Sequence, residues 1–311
     1  MIPARAGANT ASNTSHSPLQ ISIEPADNST APSLSEPEPE NFSVDPKFKP
    51  NGLVLFSQKV LISMIDTISI LAGRPFDEKH PDWDFPEPAN ALRFIMTSSK
   101  DPASPGFQSK SMMWSLRRVA NWFKDQDRYA EVGFTTKYTD GPFLGFGQIL
   151  STAPPSPPVE DSAYERRGAS PNEDQYYVDT FRSVALEPVF DFVAVYAMVI
   201  SLIIQVADEK FDKPVRSVFG YDPVADFTFY ITPTSSKADP LPYKAAVLSL
   251  ADAARKLAYV DPVYRWKPVA WLIRAGGPII GRGALLKGQV EPPALEGLEE
   301  QGPIINVGSV A

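Results

Sequence analysis

The sequence contains no cysteine among its 311 residues and only two histidines, His16 and His80. Without cysteine, a disulfide framework, a cysteine nucleophile, a cysteine-ligated zinc ion and an iron–sulfur cluster are excluded. A histidine-rich metal site or a serine–histidine–aspartate triad would have to use one of the two histidines. The chain also lacks a P-loop motif, and Gly145-Phe146-Gly147 and Gly281-Arg282-Gly283 lack the third glycine of a dinucleotide-binding loop. We therefore expect no metal and no cofactor, and interpret the glycine pairs as structural bends.

The sequence has no apolar run long enough to span a membrane. Its longest run extends over 16 residues from Phe192 to Ala207 and is interrupted by Ser201 and Gln205, whereas a membrane helix needs about 20. A helix that is apolar on almost every side must be covered on every side. We expect this helix to be buried, either where two internal repeats meet or at the interface of a homo-oligomer. The candidate interface residues are Val195, Val199, Leu202, Ile203 and Trp114.

There is no basic excess, since the formal net charge is −8. Net charges of −3, −4 and −4 fall in residues 1–50, 151–187 and 289–311, which leaves the other residues at +3. Binding to nucleic acid needs a clustered basic surface. The best cluster consists of Lys110, Arg117, Arg118 and Lys124. We interpret it as the solvated face of one helix, so nucleic acid is not an expected partner.

Proline is abundant, at 32 residues, about twice its usual share. Segments rich in proline and poor in hydrophobic periodicity do not bury enough apolar surface to fold. We therefore predict a disordered arm over 1–50, an acidic linker over 152–187 and an acidic tail over 289–311. Within the arm, the alternating Glu-Pro segment 36–40 is expected to be extended and solvated.

Three glycosylation sequons begin at Asn13, Asn28 and Asn41 in this arm. No apolar leader precedes them in the sequence as written. An arm rich in Ser, Thr, Pro and Asn that carries sequons is typical of a secreted protein. Such triplets also arise by chance in this composition, so a cytoplasmic protein is the alternative to secretion, which we favour.

An internal duplication is the main organising feature. Residues 51–151 and 188–288 contain similar segments in the same order, at offsets of 134 to 138. The matched segments are Ile62–Ile65 with Ile200–Ile203, Leu92–Thr97 with Phe227–Thr232, Lys110–Ala120 with Lys244–Ala254, and Gly141–Gly147 with Gly277–Gly283. Apolar spacing of three and four residues predicts helices, and alternation predicts strands. Each repeat is thus predicted to be an α-β-α-β-β unit. Together the repeats predict an α+β, pseudo-two-fold body of about six strands and four main helices, with disordered proline-rich tails.

Both repeats contain a strand that starts with phenylalanine and ends in threonine, Phe94–Thr97 and Phe229–Thr232, and the second has the form Phe-x-Ile-Thr. Each strand leads through a proline-containing loop to a helix, predicted over 107–126 and 243–259, and then to a strand pair. This pattern resembles an uncharacterised group of fungal proteins. The resemblance covers both repeats but not the tails, and it implies no activity and no catalytic residues.

Two candidate sites bear charged groups. Lys100 and Asp101 follow the first strand of repeat one, and Lys237 and Asp239 follow that of repeat two. They could line a groove between the repeats, or they could turn the chain and cap the next helix. Carboxylates around His80 and Trp83 could hold a cation or a sugar, although a solvated loop over residues 76–88 is the simpler interpretation.

Two classes of function therefore stay open. The first is a non-enzymatic binding or structural protein that self-associates through apolar helix faces. The second is an enzyme, a hydrolase or isomerase, that uses carboxylate, lysine or tyrosine groups in a cleft between the repeats. A small-molecule or carbohydrate ligand is compatible with both classes. We favour the first, because the sequence contains no recognisable nucleophile, cofactor loop or metal motif.

Overall fold

The computed structural model describes residues 20–25, 38–152, 176–185, 187–208, 215–234, 241–259, 265–290 and 304–305. The α-helices are α1 (Ser57–Ala72), α2 (Ser109–Gln126), α3 (Phe192–Asp208) and α4 (Tyr243–Tyr259). The strands of the first half are β2 (Phe42–Phe48), β3 (Lys79–His80), β4 (Asp82–Glu87), β5 (Leu92–Ser98), β6 (Phe107–Gln108), β7 (Val132–Tyr138) and β8 (Phe143–Ser151). Those of the second half are β9 (Tyr176–Ser183), β10 (Val215–Asp222), β11 (Phe227–Pro233), β12 (Val269–Ala275) and β13 (Ile279–Lys287). Both β1 (Gln20–Pro25) and β14 (Ile304–Ile305) also join the sheet of the second half.

The described residues thus form an α+β protein with four helices and antiparallel sheets, as predicted. Helix α2 shows why the helix predictions succeed. Its apolar residues at spacings of four, three and four, Met112, Leu116, Val119 and Phe123, are fully buried. The helix begins after Gln108. The Gln108 side chain accepts a hydrogen bond from the backbone N–H of Ser111, the third helical residue, and the Ser111 side chain accepts one from the backbone N–H of Gln108. This reciprocal capping fixes the start of the helix.

The two halves have the same topology. The five-stranded sheet has the order β2-β7-β8-β5-β4, and the seven-stranded sheet has the order β1-β10-β11-β13-β12-β9-β14. Without β1 and β14, the second order read backwards is β9-β12-β13-β11-β10. Along the chain, the strands of each sheet and the two helices of each half follow the order β-α-β-β-α-β-β. Strands at the same place in this order also hold the same place in their sheet.

The strand register is also shared. Phe94 lies opposite Ile149, and Phe229 lies opposite Leu285. A Cβ atom on Gly147 would lie 2.2 Å from the ring of Phe134, and one on Gly283 would lie 2.5 Å from the ring of Trp271. Gly147 and Gly283, one glycine of each pair, are thus places where an aromatic ring lies directly on the backbone of the neighbouring strand. The chain also enters both first helices in the same way, through Leu55 N–H donating to Tyr129 O at 3.0 Å and Phe190 N–H donating to Trp266 O at 2.7 Å.

The helices occupy the space between the two sheets. Helices α1 and α2 contact the five-stranded sheet, α3 and α4 contact the seven-stranded sheet, and α1 contacts both α3 and α4. Buried side chains from both halves form one continuous apolar core. The apolar run from Phe192 becomes α3, in the middle of this core. In the part of the chain that is described, every helix is too short or too polar to cross a membrane.

The expected arm and tail contribute β1 and β14 to a sheet, and the expected boundaries of the repeats are wrong at two further places. Residues 42–48 of the expected arm form β2, in which Phe42 is buried, and residues 176–183 of the expected linker form β9. Each unit therefore starts earlier and has two more strands than the α-β-α-β-β pattern, so the sheets exceed six strands. The sequence conceals β2 and β4 because each contains a proline, Pro46 and Pro86. Both are edge strands of their sheet, where proline is tolerated.

Candidate functional site

The predicted interface residues are part of the core. Val195, Val199, Leu202 and Ile203 of α3 are 0% exposed, and Trp114 of α2 is 1% exposed. Helices α1, α2 and α4 cover α3 within one chain. These five residues are therefore not accessible to a second copy, and their assignment to an oligomer interface needs correction. Of the two expected positions for this helix, the structure places it where the two halves meet.

Charged groups in the seam between the halves pair with one another. Arg255 of α4 donates from Nε and Nη2 to Oδ1 of Asp66 in α1, at 2.9 and 2.6 Å. Asp252, one turn away on α4, is satisfied within the second half, where it accepts from the N–H of Val178 at 2.7 Å and lies 3.4 Å from Lys256. The seam is thus filled by apolar side chains and bridged by the ion pair of Arg255 with Asp66.

The predicted groove residues can be placed only in part. Lys100 and Asp101 are exposed on the loop after β5. The Asp101 N–H donates to Ser99 Oγ at 3.2 Å, and Asp101 Oδ1 accepts from the Ala103 N–H at 2.9 Å. These bonds are those of a chain turn stabilised by its own side chains. Lys237 and Asp239 lie outside the described residues.

His80 is buried in a polar contact rather than exposed in a loop. Residues 79–80 and 82–87 form β3 and β4, which corrects the expectation of a solvated loop. His80 Nε2 lies 2.9 Å from Oγ of Ser109 at the start of α2, and its ring meets Trp83 edge to face at 5.2 Å. Burial lowers the pKa of His80, an effect that the nearby Glu78 carboxylate opposes and Arg74 reinforces.

A serine and a histidine at this distance have the geometry of a nucleophile and its base. Ser109, however, is 0% exposed and His80 is 6% exposed, so a substrate cannot reach the serine in this conformation. The contact ties β3 to the start of α2. Across the described residues, no three or more His, Cys, Asp or Glu side chains are grouped so that they could hold a metal ion.

The basic cluster on α2 also differs from the expected solvated face. Arg117 and Arg118 both donate to the carboxylate of Glu38, and the Glu38 side chain is only 8% exposed. Glu38 belongs to the Glu-Pro segment that was expected to be solvated. Its carboxylate holds the chain on α2 just before β2, because two guanidinium groups can satisfy one buried carboxylate.

The outer face of the five-stranded sheet is open to solvent, and we call it the open face. Lys47, Gly133, Gln148, Ile95 and Asp84 are successive cross-strand neighbours on β2, β7, β8, β5 and β4, and directly opposite residues share one face of a sheet. The next row along the strands consists of Asp45, Thr135, Phe146, Thr97 and Asp82. The five strands therefore bring residues from distant parts of the sequence onto one surface.

A shallow recess of about 340 Å³ lies over Gly133 on the open face, with Lys47, Thr135, Phe146 and Gln148 among its lining residues. The nearest atom to a Cβ added at Gly133 would be 4.0 Å away, so the recess exists because this position has no side chain. Beside it, Phe146 is 42% exposed. A ring at this exposure next to an open recess can contact a partner without rearrangement of the sheet.

The two ends of the central row of the open face differ in charge. Lys47 on β2 is 77% exposed and lies 3.0 Å from Asp45. At the other end, Arg93 Nε donates to Asp84 Oδ1 at 2.8 Å. This hydrogen bond lowers the pKa of Asp84. The open face thus has an exposed ammonium group at the β2 edge and a carboxylate at the β4 edge.

The corresponding face of the second half is covered. Tyr230, Ala284 and Leu286 are 0%, 0% and 6% exposed and pack with Val290, which follows β13. Burial raises the pKa of the Tyr230 hydroxyl. The positions that correspond by register in the first half are Ile95, Gln148 and Leu150, and these are only half-buried. The two halves thus differ in the exposure of this face.

Comparisons of the chain with protein-family models, with curated proteins and with solved structures find no match. The resemblance to a fungal group therefore stays a prediction, and the candidate site rests on its geometry alone.

Proposed function

We propose that this chain is a non-enzymatic binding or structural protein that self-associates. The observation that supports it is the contrast between a seam filled by apolar side chains and paired ions and one sheet face that stays open. On that face Phe146 is exposed beside the recess over Gly133, and an exposed apolar group next to an open recess suits an interaction surface. Because α3 is covered within the chain, association uses a surface other than the helix faces.

Analytical ultracentrifugation of the full chain over a wide range of concentrations tests this proposal. We expect the mean mass to rise above that of one chain as the concentration increases. A mass that stays at 34.1 kDa at every concentration would contradict self-association.

An enzyme is the alternative, and the observation in its favour is the contact between Ser109 Oγ and His80 Nε2 at 2.9 Å. Catalysis would require an opening of β3 and β4 that exposes Ser109. A fluorophosphonate probe, which reacts with activated serines, distinguishes the two functions. Labelling of Ser109 that is lost in Ser109→Ala would support the enzyme, and an unlabelled native protein supports the binding role.

We also propose that the two halves arose by duplication of one ancestral unit. The shared strand order, the shared register and the glycine–aromatic contacts at Gly147 and Gly283 support a common origin. Superposition of residues 42–151 on 176–288 in a crystal structure of the chain tests it. A poor fit of the ten equivalent strands and four helices would count against it.

Secretion is a further proposal, and Asn41 supports it. Asn41 begins a sequon and is exposed immediately before β2, where a glycan would not disturb the core. Mass spectrometry of the protein from its native source should find a glycan on Asn41. An unmodified Asn41 would count against passage through the secretory pathway.

A further inference from the structure

The open face has no covering layer among the described residues, while its edges are protected against strand addition. Pro46 lies in β2 and Pro86 lies in β4, the two edge strands of the five-stranded sheet. Proline removes a backbone donor, and charged side chains on an edge further oppose pairing with another strand. Asp45 and Lys47 on β2, and Asp84 on β4, are such side chains. A partner of this sheet is thus expected to approach its face and not its edges.

From this arrangement we infer that the open face binds the open face of a second copy of the chain, in a two-fold dimer whose axis runs parallel to the central strand β8. This inference rests on the proposed self-association and identifies the surface responsible for it.

Charge complementarity favours a second copy as the occupant. A two-fold axis along β8 reverses the order of strands, so β2 of one copy lies over β4 of the other. The ammonium group of Lys47 then faces the carboxylate of Asp84 at both ends of the central row. Asp45 is paired with Lys47, and Asp84 with Arg93, within each chain. In the next row the same axis brings Asp45 over Asp82, so each end of the interface contains two positive groups, Lys47 and Arg93, and three negative ones, and the attraction depends on the Lys47–Asp84 contact.

The apolar centre of the face is also compatible with this symmetry. Phe146 lies on β8, so the rings of the two copies meet near the axis. The recess over Gly133 adjoins Phe146 and leaves room for the ring of the second copy. Sheets that stack face to face pack about 10 Å apart, with their strands about 30° from parallel.

The area of the face sets the strength of the dimer. Five strands spaced about 4.8 Å apart, with about seven residues of about 3.4 Å rise, give a face of roughly 570 Å² per copy. The total of about 1,100 Å² lies at the lower limit for a specific interface. We therefore expect a reversible dimer that dissociates on dilution.

Two substitutions at the centre test the interface. Phe146→Asp puts a charge at the axis, and Gly133→Lys fills the recess with an ammonium group at a position that has space for a side chain. Both variants should weaken dimerisation at least tenfold in sedimentation experiments. Phe56→Asp is the matched control, because Phe56 is 68% exposed, lies on none of the five strands of the open face and occupies the N-cap of α1, where aspartate is favourable. It should dimerise like the wild type.

A charge exchange tests the orientation of the two copies. Lys47→Glu alone should weaken the dimer by placing like charges together. The double variant Lys47→Glu with Asp84→Lys restores opposite charges across the interface and should recover most of the affinity. If the double variant is no tighter than Lys47→Glu alone, the proposed axis is wrong.

The absence of cysteine allows a test that does not depend on weakened binding. Gln148→Cys introduces a single thiol on β8 near the axis, and a short bismaleimide should link two such chains rapidly. Phe56→Cys should not cross-link, because it lies outside the interface. If the wild type associates but Gln148→Cys does not cross-link and Phe146→Asp associates normally, the open face is not the interface, although self-association stands. If the wild type is a monomer, the proposed function itself fails.

Discussion

Truncation of Phe229 to alanine tests whether both halves share one core. Phe229 lies in β11, is 0% exposed, and its ring centroid is 5.2 Å from that of Trp271. Removing a buried phenylalanine side chain typically costs about 3–5 kcal/mol of the free energy of unfolding. The loss of an aromatic pair accounts for about 0.5–1.5 kcal/mol of that cost. We therefore expect Phe229→Ala to lower the free energy of unfolding by about 4 kcal/mol. Phe94→Ala, at the equivalent position of β5 and also fully buried, should have a similar cost.

The shape of the unfolding curve is as informative as its midpoint. Helix α1 of the first half packs on α3 and α4 of the second, so destabilising either half should shift a single cooperative transition. Urea unfolding followed by tryptophan fluorescence and by circular dichroism measures this. Phe56→Ala is the exposed control, since Phe56 is 68% exposed, and it should cost about 0.5 kcal/mol or less. A cost below about 1 kcal/mol for Phe229→Ala would refute its place in the core. Two separate transitions, of which Phe229→Ala moves only one, would refute the shared core.

Three other perturbations follow from the structure. Burial lowers the pKa of His80 below its ordinary value of 6.5. Because the unfolded chain then binds the proton more readily than the folded chain, the free energy of unfolding should fall as the pH drops below about 6.5. It should level off below the pKa of His80 in the folded chain. His80→Gln should flatten this dependence in urea titrations across pH, and an unchanged profile would assign it to another group. A double-mutant cycle of Asp66→Ala and Arg255→Ala should give a coupling of about 1 kcal/mol, since the pair is partly exposed; strictly additive effects would show that the ion pair does not join the halves. Deleting residues 1–19 leaves every described element in place and should leave Tm unchanged. Deleting residues 1–48 removes β1 and β2 and should lower Tm strongly. Equal Tm values for the two deletions would show that β2 is not part of the fold.

The sequence predicts the helices and the closing strand pairs well because their periodicity is strong. Helix α4 spans the predicted residues 243–259, and α2 begins two residues after its predicted start at 107. The alignment of the first helices is less accurate. The matching segments at Ile62 and Ile200 give an offset of 138, whereas the equivalent hydrogen bonds of Leu55 and Phe190 give 135. Three residues are close to one helical turn, so a helix that is apolar on most sides fits both alignments.

The open face could not be predicted from the sequence. Lys47, Phe146 and Asp84 are distant along the chain, and only the strand order and the register place them on one surface. The contact between His80 and Ser109 depends in the same way on the pairing of β3 with β6. Local periodicity indicates which side of a strand is buried, but not which strands are neighbours.

The protection of the sheet edges distinguishes the two halves. In the second half, β9 and β10 contain no proline, and β14 and β1 from the two ends of the chain pair with them. In the first half, the equivalent strands β2 and β4 are unpaired on one side within the described residues and carry Pro46 and Pro86. An unprotected edge would accept strands of other chains without specificity. One half therefore uses the ends of the chain, and the other uses proline, to achieve the same result, so a partner of the five-stranded sheet is directed to its open face rather than to its edges.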